Sequence, residues 1–140
     1  MKRTPLKRGN KPLKRSALKR KAPLRASKSK YGAIRTELGG YVYASKLEAT
    51  YAQQLELRKK AKDIRDWERQ PQVIVYVYGI KMFQYKLDFK IIHNDYSEEL
   101  VEVKGFPDKA FPLKWKVFTT VWNYEHPEVI TTLLWTKDII

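Results

Sequence analysis

The spacing of apolar residues changes several times along the chain, and each change predicts an element. Residues 31–44 (YGAIRTELGGYVYA) read as a turn or short hairpin around Gly39-Gly40. Ser45 then fits a helix N-cap, and a helix is predicted from about Lys46 to Lys62. Leu47, Tyr51, Ala52 and Leu55 recur on its inner side at spacings of three and four, and its end is rich in Arg58, Lys59, Lys60 and Lys62. Residues 72–78 (QVIVYVY) are apolar on both alternating faces, as in a strand covered on both sides. Residues 83–92 alternate as one strand, with Phe83, Tyr85, Leu87, Phe89 and Ile91 one way and Gln84, Lys86, Asp88 and Lys90 the other. After a turn at 94–97, residues 99–104 form a third strand, with Val101 and Val103 opposite Glu102 and Lys104. A second helix over about 109–123 turns Phe111, Trp115, Phe118 and Trp122 inward, and a strand over 129–135 follows. Short links make the first three strands an antiparallel meander, and the second helix serves as a crossover to a parallel last strand. The expected fold is α/β, a mixed central sheet flanked by helices.

Charge divides the chain in two. Residues 1–30 contain 13 Lys or Arg and no Asp or Glu, so 16 of the 29 basic residues remain to balance all 15 acidic ones. The net charge of +14 is therefore nearly all in a basic arm over 1–30, with a nearly neutral domain over 31–140. The arm holds Pro5, Pro12 and Pro23, few apolar residues and a loose repeat of PLKR, PLKR, ALKR and PLR. Too little apolar surface is present to offset the entropy of ordering it. Lys7, Arg8, Lys14, Arg15, Lys19 and Arg20 are candidates for contact with nucleic-acid phosphates, which position a protein without reading sequence. A solubilising tail and a ribosomal-protein-like extension are the plainer alternatives.

With no cysteine and only His93 and His126, which read as turn residues, disulfides, thiol chemistry and a Cys- or His-rich zinc site are excluded. Any metal would rest on carboxylates, which favours Mg²⁺, Mn²⁺ or Ca²⁺. No apolar run approaches the length needed to span a bilayer, and no apolar stretch follows the basic N-terminus as in a secretory signal. A cytoplasmic location, without membrane partners, is the expectation.

The chemistry concentrates on Asp88 and on Glu102-Val103-Lys104. Residues two apart on a strand share a face, so Glu102 and Lys104 are neighbours, and the hairpin argument brings Asp88 beside them. Two carboxylates so placed repel unless a cation bridges them, and the Val103 carbonyl offers a further oxygen. Lys104 would orient or deprotonate a water on that cation, or offset charge on a phosphate. An ordinary cross-strand charge pair on a wet face has the same alternation. Glu48 fits two roles: with Ser45 it makes the S-x-x-E capping box, and it also lies where it can reach the sheet's polar face. Gln70 either satisfies loop backbone or joins the site. Glu68 and Arg69 read as surface charges, and the aromatics of the second helix as core.

The segment YKLDF (85–89) followed by LVEVKG (100–105) resembles the D…(D/E)-x-K signature of the PD-(D/E)XK nuclease superfamily. With SKLEA (45–49) in the preceding helix and WERQP (67–71) before the first strand, it resembles the small phage and prophage endonucleases related to phage Holliday-junction resolving enzymes. The likeness spans roughly 31–135. It implies a restriction-endonuclease-like core, with Asp88 and Glu102 as metal ligands, Lys104 as the catalytic lysine, Glu48 completing the site and Gln70 as an accessory position. The usual Pro before the first catalytic Asp is Leu87 here.

The resemblance implies a Mg²⁺-dependent endonuclease, with Mn²⁺ able to substitute, that cuts branched or otherwise structured DNA by in-line attack of water on phosphorus. The arm, Lys114 and Lys116 would hold the DNA, and cutting two strands of a junction would favour a homodimer. If phage-encoded, the protein would work in a bacterial host's cytoplasm. Competing readings are a nucleic-acid-binding protein without catalysis and an assembly factor for acidic partners.

Overall fold

The computed structural model describes residues 34–106 and 108–140. The proposed contacts of the basic arm (Lys7, Arg8, Lys14, Arg15, Lys19 and Arg20) lie outside these residues. The fold is α/β, with a four-stranded mixed sheet flanked by helices.

The first hairpin joins β1 (Thr36–Leu38) to β2 (Tyr41–Tyr43) through Gly39 and Gly40, at φ 57° and 81°. That pair of left-handed residues is the turn whose twist suits antiparallel strands, as the Gly-Gly pattern predicts. Helix α1 (Lys46–Lys60) starts at Ser45, whose side chain accepts the Glu48 N–H at 3.2 Å. It stops two residues short of the expected end. Lys62 takes a left-handed φ of 62°, its N–H donates to the Lys59 carbonyl, and the Asp63 N–H donates to Arg58. This paired closure satisfies the last carbonyls and turns the chain out of the helix.

The central sheet has the order β3-β6-β7-β8, formed by β3 (Asp66–Arg69), β6 (Phe89–Ile92), β7 (Glu98–Lys104) and β8 (Ile130–Trp135). The β3–β6 and β6–β7 pairs are antiparallel, and β8 is parallel to β7 after the crossover helix α2 (Phe111–Glu125), as the sequence predicts. Four expectations fail here. The DWER segment, which reads as loop, is the edge strand β3. The strand expected over 83–92 is two strands, β5 (Ile80–Lys86) and β6. Strand β5 leaves the central sheet and pairs only with β4 (Gln72–Val77), so the expected meander is replaced by a separate hairpin. Strand β4 is not covered on both sides: Val73 and Val75 pack inward, while Ile74 and Tyr76 are exposed.

The reason is a corner in two adjacent chains. Gln70 has a left-handed φ of 51° and precedes Pro71, which fixes its own φ and lacks an N–H. Opposite them, Leu87-Asp88 also leaves strand geometry. Two bonds cross the corner, from Gln70 N–H to the Asp88 carbonyl at 2.8 Å and from Leu87 N–H to the Pro71 carbonyl at 3.0 Å. Both chains therefore bend together and stay paired.

Two cores result. One gathers Tyr43, Ala49, Tyr51, Ala52, Leu55, Ile64, Phe89, Ile91, Val101 and Val103 beneath α1. It also takes Ile139 from the short closing helix α3 (Thr136–Ile139), which the sequence pattern does not suggest. The other packs Val75, Tyr85, Leu87 and Leu100 around Phe118 of α2, with Trp115 and Trp122 alongside, so the aromatic spacing of α2 is core as expected. Among the described residues no helix is long and apolar enough to cross a membrane.

Candidate active site

Asp88 stands at the corner, where the β6–β7 ladder ends. The last backbone pair is Phe89 with Val101, and beyond it the Asp88 carboxylate takes over, accepting the Val103 N–H at 2.7 Å. A side chain thus satisfies a donor of β7 on the side where β6 no longer runs beside it. Val103 meets Asp88 through its N–H, and its side chain lies in the core under α1.

Glu102 and Lys104 share the other face of β7, as the alternation predicts. Glu102 is buried, only 5% exposed, and its Oε1 accepts from Lys104 Nζ at 2.9 Å. Its Oε2 is buried with no hydrogen-bond partner. An unpartnered carboxylate oxygen in the interior is costly, and native structures avoid it unless something binds there. Lys104 Nζ also lies 4.8 Å from the centre of the Phe111 ring.

Glu48 serves its cap and stays within reach of the others. Ser45 Oγ donates to its Oε1 at 3.1 Å while accepting its N–H. Burial raises its pKa, against the Ser45 and Ala44 donors and the nearby Lys104 and Arg69. Burial also raises Glu102, opposed by Lys104 and reinforced by Glu48. The largest effect falls on Asp88: burial, then the charges of Glu102 and Glu48, push it up to about 8 despite the Val103 N–H. Burial opposes the charge on Lys104, yet Glu102 and Asp88 together hold its pKa above the ordinary lysine value, so it stays an ammonium group.

The charges of Glu48 and Glu102 therefore both act on Asp88 in a poorly hydrated place, with Lys104, Lys114 and Arg69 as the opposing cations. A hard divalent cation fits this donor set: Asp88 and Glu102 would hold it, the orphaned Oε2 of Glu102 being the open oxygen. As the side chains lie, no three His, Asp or Glu residues among the described residues are gathered closely enough to hold a metal. Each carboxylate instead leans on a neighbour: Ser45, the Val103 N–H or Lys104.

A cleft of about 250 Å³ opens beside Glu102 and Lys104, with Lys86, Phe111 and Lys114 among its walls. Lys114 Nζ sits 5.1 Å from the Tyr85 ring centre, and its charge reaches Glu102. Lys116 is exposed but does not line the cleft, because two helical residues turn it roughly 200° away. Gln70 touches Asp88 through its backbone N–H, and its side chain lines a second, open depression with Tyr41 and Arg69.

Arg69 reads from sequence as a surface charge and is instead half-buried beside the site. Its guanidinium lies 4.5 Å and 4.6 Å from the ring centres of Tyr41 and Tyr43, and it donates to the Val42 carbonyl. Only the docking of the β1–β2 hairpin makes that setting, so no local pattern could reveal it. His93 is also more than a turn residue: its Nε2 lies 2.9 Å from Glu99, which accepts Thr132 Oγ1 at 2.6 Å with its other oxygen. His126 caps α2 and stacks on Trp122.

The chain belongs to the family described as "Protein of unknown function (DUF1064)", which matches residues 28–136. No curated protein and no solved structure matches the chain. The family match covers every site residue above and most of the fold, and it leaves the chemistry to be argued from the side chains.

Proposed function

We propose that the protein is a metal-dependent endonuclease that hydrolyses phosphodiester bonds in DNA, with Asp88, Glu102, Lys104 and Glu48 at its centre. The observation that carries this reading is the buried Oε2 of Glu102, which no protein group partners, on the wall of a cleft lined by Lys86, Lys104 and Lys114 together with Asp108. Paired buried carboxylates without a cation are unfavourable, and a polyanionic substrate suits the Lys86, Lys104 and Lys114 rim. The sequence resemblance to PD-(D/E)XK nucleases points the same way.

When bound, Mg²⁺ or Mn²⁺ would polarise a phosphoryl oxygen and make water a better nucleophile. Asp88 and Glu102 would hold the ion, while the Val103 N–H fixes the Asp88 carboxylate and Ser45 steadies Glu48. Lys104, held against Glu102, would orient the attacking water or offset the negative charge that builds on the phosphate as water attacks phosphorus in line and the opposite P–O bond breaks. Lys114 and Lys86 hold flanking phosphates. Branched DNA, a homodimer and a cytoplasmic setting complete the proposal.

The test is cleavage of four-way-junction, flap, single-stranded and duplex DNA in Mg²⁺, Mn²⁺ or EDTA. Metal-dependent cutting that Asp88→Asn and Lys104→Met both lose supports the reading, and the best substrate names its task. A second reading, nucleic-acid binding without catalysis, is favoured by the partners each carboxylate already has. It predicts binding on every substrate, cutting on none, and no effect of Asp88→Asn.

A further inference from the structure

The β4–β5 hairpin has a feature the carboxylate site does not use. Its first half packs on α2 through Val73, Val75, Phe83 and Tyr85. From the turn onward, residues 78–82 are all exposed. Tyr78 is 100% exposed, Ile80 66% and Met82 54%. The turn is Tyr78-Gly79, at φ 50° and 76°. A two-residue turn with both φ positive is the one Asn-Gly makes easily, and an aromatic residue in its first position is strained. Strain held at a fully exposed aromatic tip points to a use for the ring rather than to folding.

Charge indicates what the tip meets. From residue 69 to residue 87 the chain has Arg69, Lys81 and Lys86 and no Asp or Glu. Lys86, at the base of the hairpin, lines the same cleft as Lys104 and Lys114. A cationic track therefore begins beside the carboxylates and continues onto the ribbon. Two copies of the hairpin packed together would bring like charges into contact with no carboxylate of their own to offset them. A polyanion with accessible aromatic faces suits both the lysines and the tyrosine.

We propose that the β4–β5 hairpin is a second nucleic-acid contact, in which Tyr78 stacks on an unpaired or unstacked base. Strand β5 carries the chain from the base of the turn at Ile80 to Lys86 in six extended steps, roughly 20 Å, or about six base-pair steps along a duplex. A base open at that distance exists at a branch, a flap or a single-stranded stretch and not in continuous duplex. This rests on the nucleic-acid side of the function proposed above and adds to it a preference for substrates with an exposed base.

The experiment is binding of the full chain to fluorescent junction, flap, single-stranded and duplex DNA in EDTA, where cutting cannot interfere, with Tyr78→Asn and Tyr78→Phe compared. Asparagine suits the left-handed turn, so that variant keeps or raises the melting temperature while removing the ring. The expected result is about tenfold weaker binding of Tyr78→Asn to DNA with unpaired bases, the effect of one stacked base. Duplex binding stays unchanged, and Tyr78→Phe stays within about twofold. An Asn variant that binds every substrate as tightly as the parent does overturns the proposal. So does a sedimentation result in which Tyr78→Asn splits a dimer, which would make the tip a contact between copies. A protein that binds through Tyr78 but never cuts in Mg²⁺ keeps this proposal and sinks the nuclease reading; one that cuts and is indifferent to Tyr78→Asn does the reverse.

Discussion

Glu99 and Glu102 stand three residues apart on the same strand, both sheltered from water, and they are treated in opposite ways. Glu99 looks toward α1, and both of its oxygens are engaged, one with His93 and one with Thr132. Glu102 looks toward α2. Lys104 holds one oxygen, and the other has no partner among the protein's own groups. The first arrangement ties together β6, β7 and β8 and completes its own hydrogen bonding. The second leaves one oxygen unpaired in a place where the charge of Glu48 also bears on it. What separates a structural carboxylate from a candidate catalytic one here is how fully its partners satisfy it, more than burial or charge alone.

Neutralising each glutamate in turn separates the two roles. Glu102→Gln is expected to lower cleavage by about 10³-fold or more, with the fold retained. Single-turnover rates together with far-ultraviolet circular dichroism check this. Comparable cleavage by the variant would place Glu102 among the structural groups.

Glu99→Ala should do the opposite. Removing the acceptor shared by His93 and Thr132 costs about 1–3 kcal/mol of stability, read from urea unfolding, while cleavage under folded conditions changes by no more than about twofold. A variant as stable as the parent would mean that the network around Glu99 is dispensable.

The pH dependence sharpens the same contrast. Asp88 is raised from an ordinary 3.8 to about 8 by burial and by Glu102 and Glu48. The folded protein therefore keeps a proton that the unfolded chain gives up. This contribution to stability is complete below about 3.8 and disappears as pH rises through about 8. In EDTA the melting temperature should accordingly fall across the neutral range. Asp88→Asn should flatten that fall and gain about 1–3 kcal/mol at the alkaline end, because no buried charge then forms. Mg²⁺ should stabilise the parent most at high pH and release protons on binding, which calorimetry in buffers of different ionisation enthalpy measures. A melting temperature that rises with pH in EDTA would refute this account of Asp88.

The smallest expected effect compares two lysines of α2. Lys114→Ala should weaken DNA binding several-fold and lower the salt dependence, by about 0.9 in the log–log slope for each phosphate no longer neutralised. Lys116→Ala, turned away from the cleft, should leave both nearly unchanged. Equal weakening by the two variants would show that DNA wraps α2 rather than entering the cleft.

The run from Phe83 to Ile91 shows how much of the fold is legible in the sequence. Every odd residue in it is at least partly buried, as the alternation predicts. Yet Tyr85 and Leu87 enter the core around Phe118, while Phe89 and Ile91 enter the core beneath α1. Alternation reports which side chains are buried and is silent about which core receives them. The bend that reassigns them depends on Gln70 and Pro71, distant in sequence and paired across the corner by backbone bonds. For the same reason β3 is hidden in the sequence, since four residues reading DWER have no apolar alternation of their own. The settings of Arg69 and Glu99 are hidden too, because the first rests on contacts with β2 and the second on contacts that reach from the end of β6 to β8.

The sequence alone determined the capped first helix, the Gly-Gly turn, the α2 core stripe and the placing of Glu102 with Lys104, because each rests on local geometry or fixed periodicity. It also determined the cationic character of the first thirty residues, which is a matter of composition. Only the tertiary structure decided that Asp88 stands at a corner against the Val103 N–H, that one oxygen of Glu102 is left without a partner, and that the β4–β5 hairpin leaves the sheet with a strained tyrosine at its tip. Those outcomes depend on which buried surfaces meet, and desolvation and charge crowding arise only once distant segments have been packed side by side.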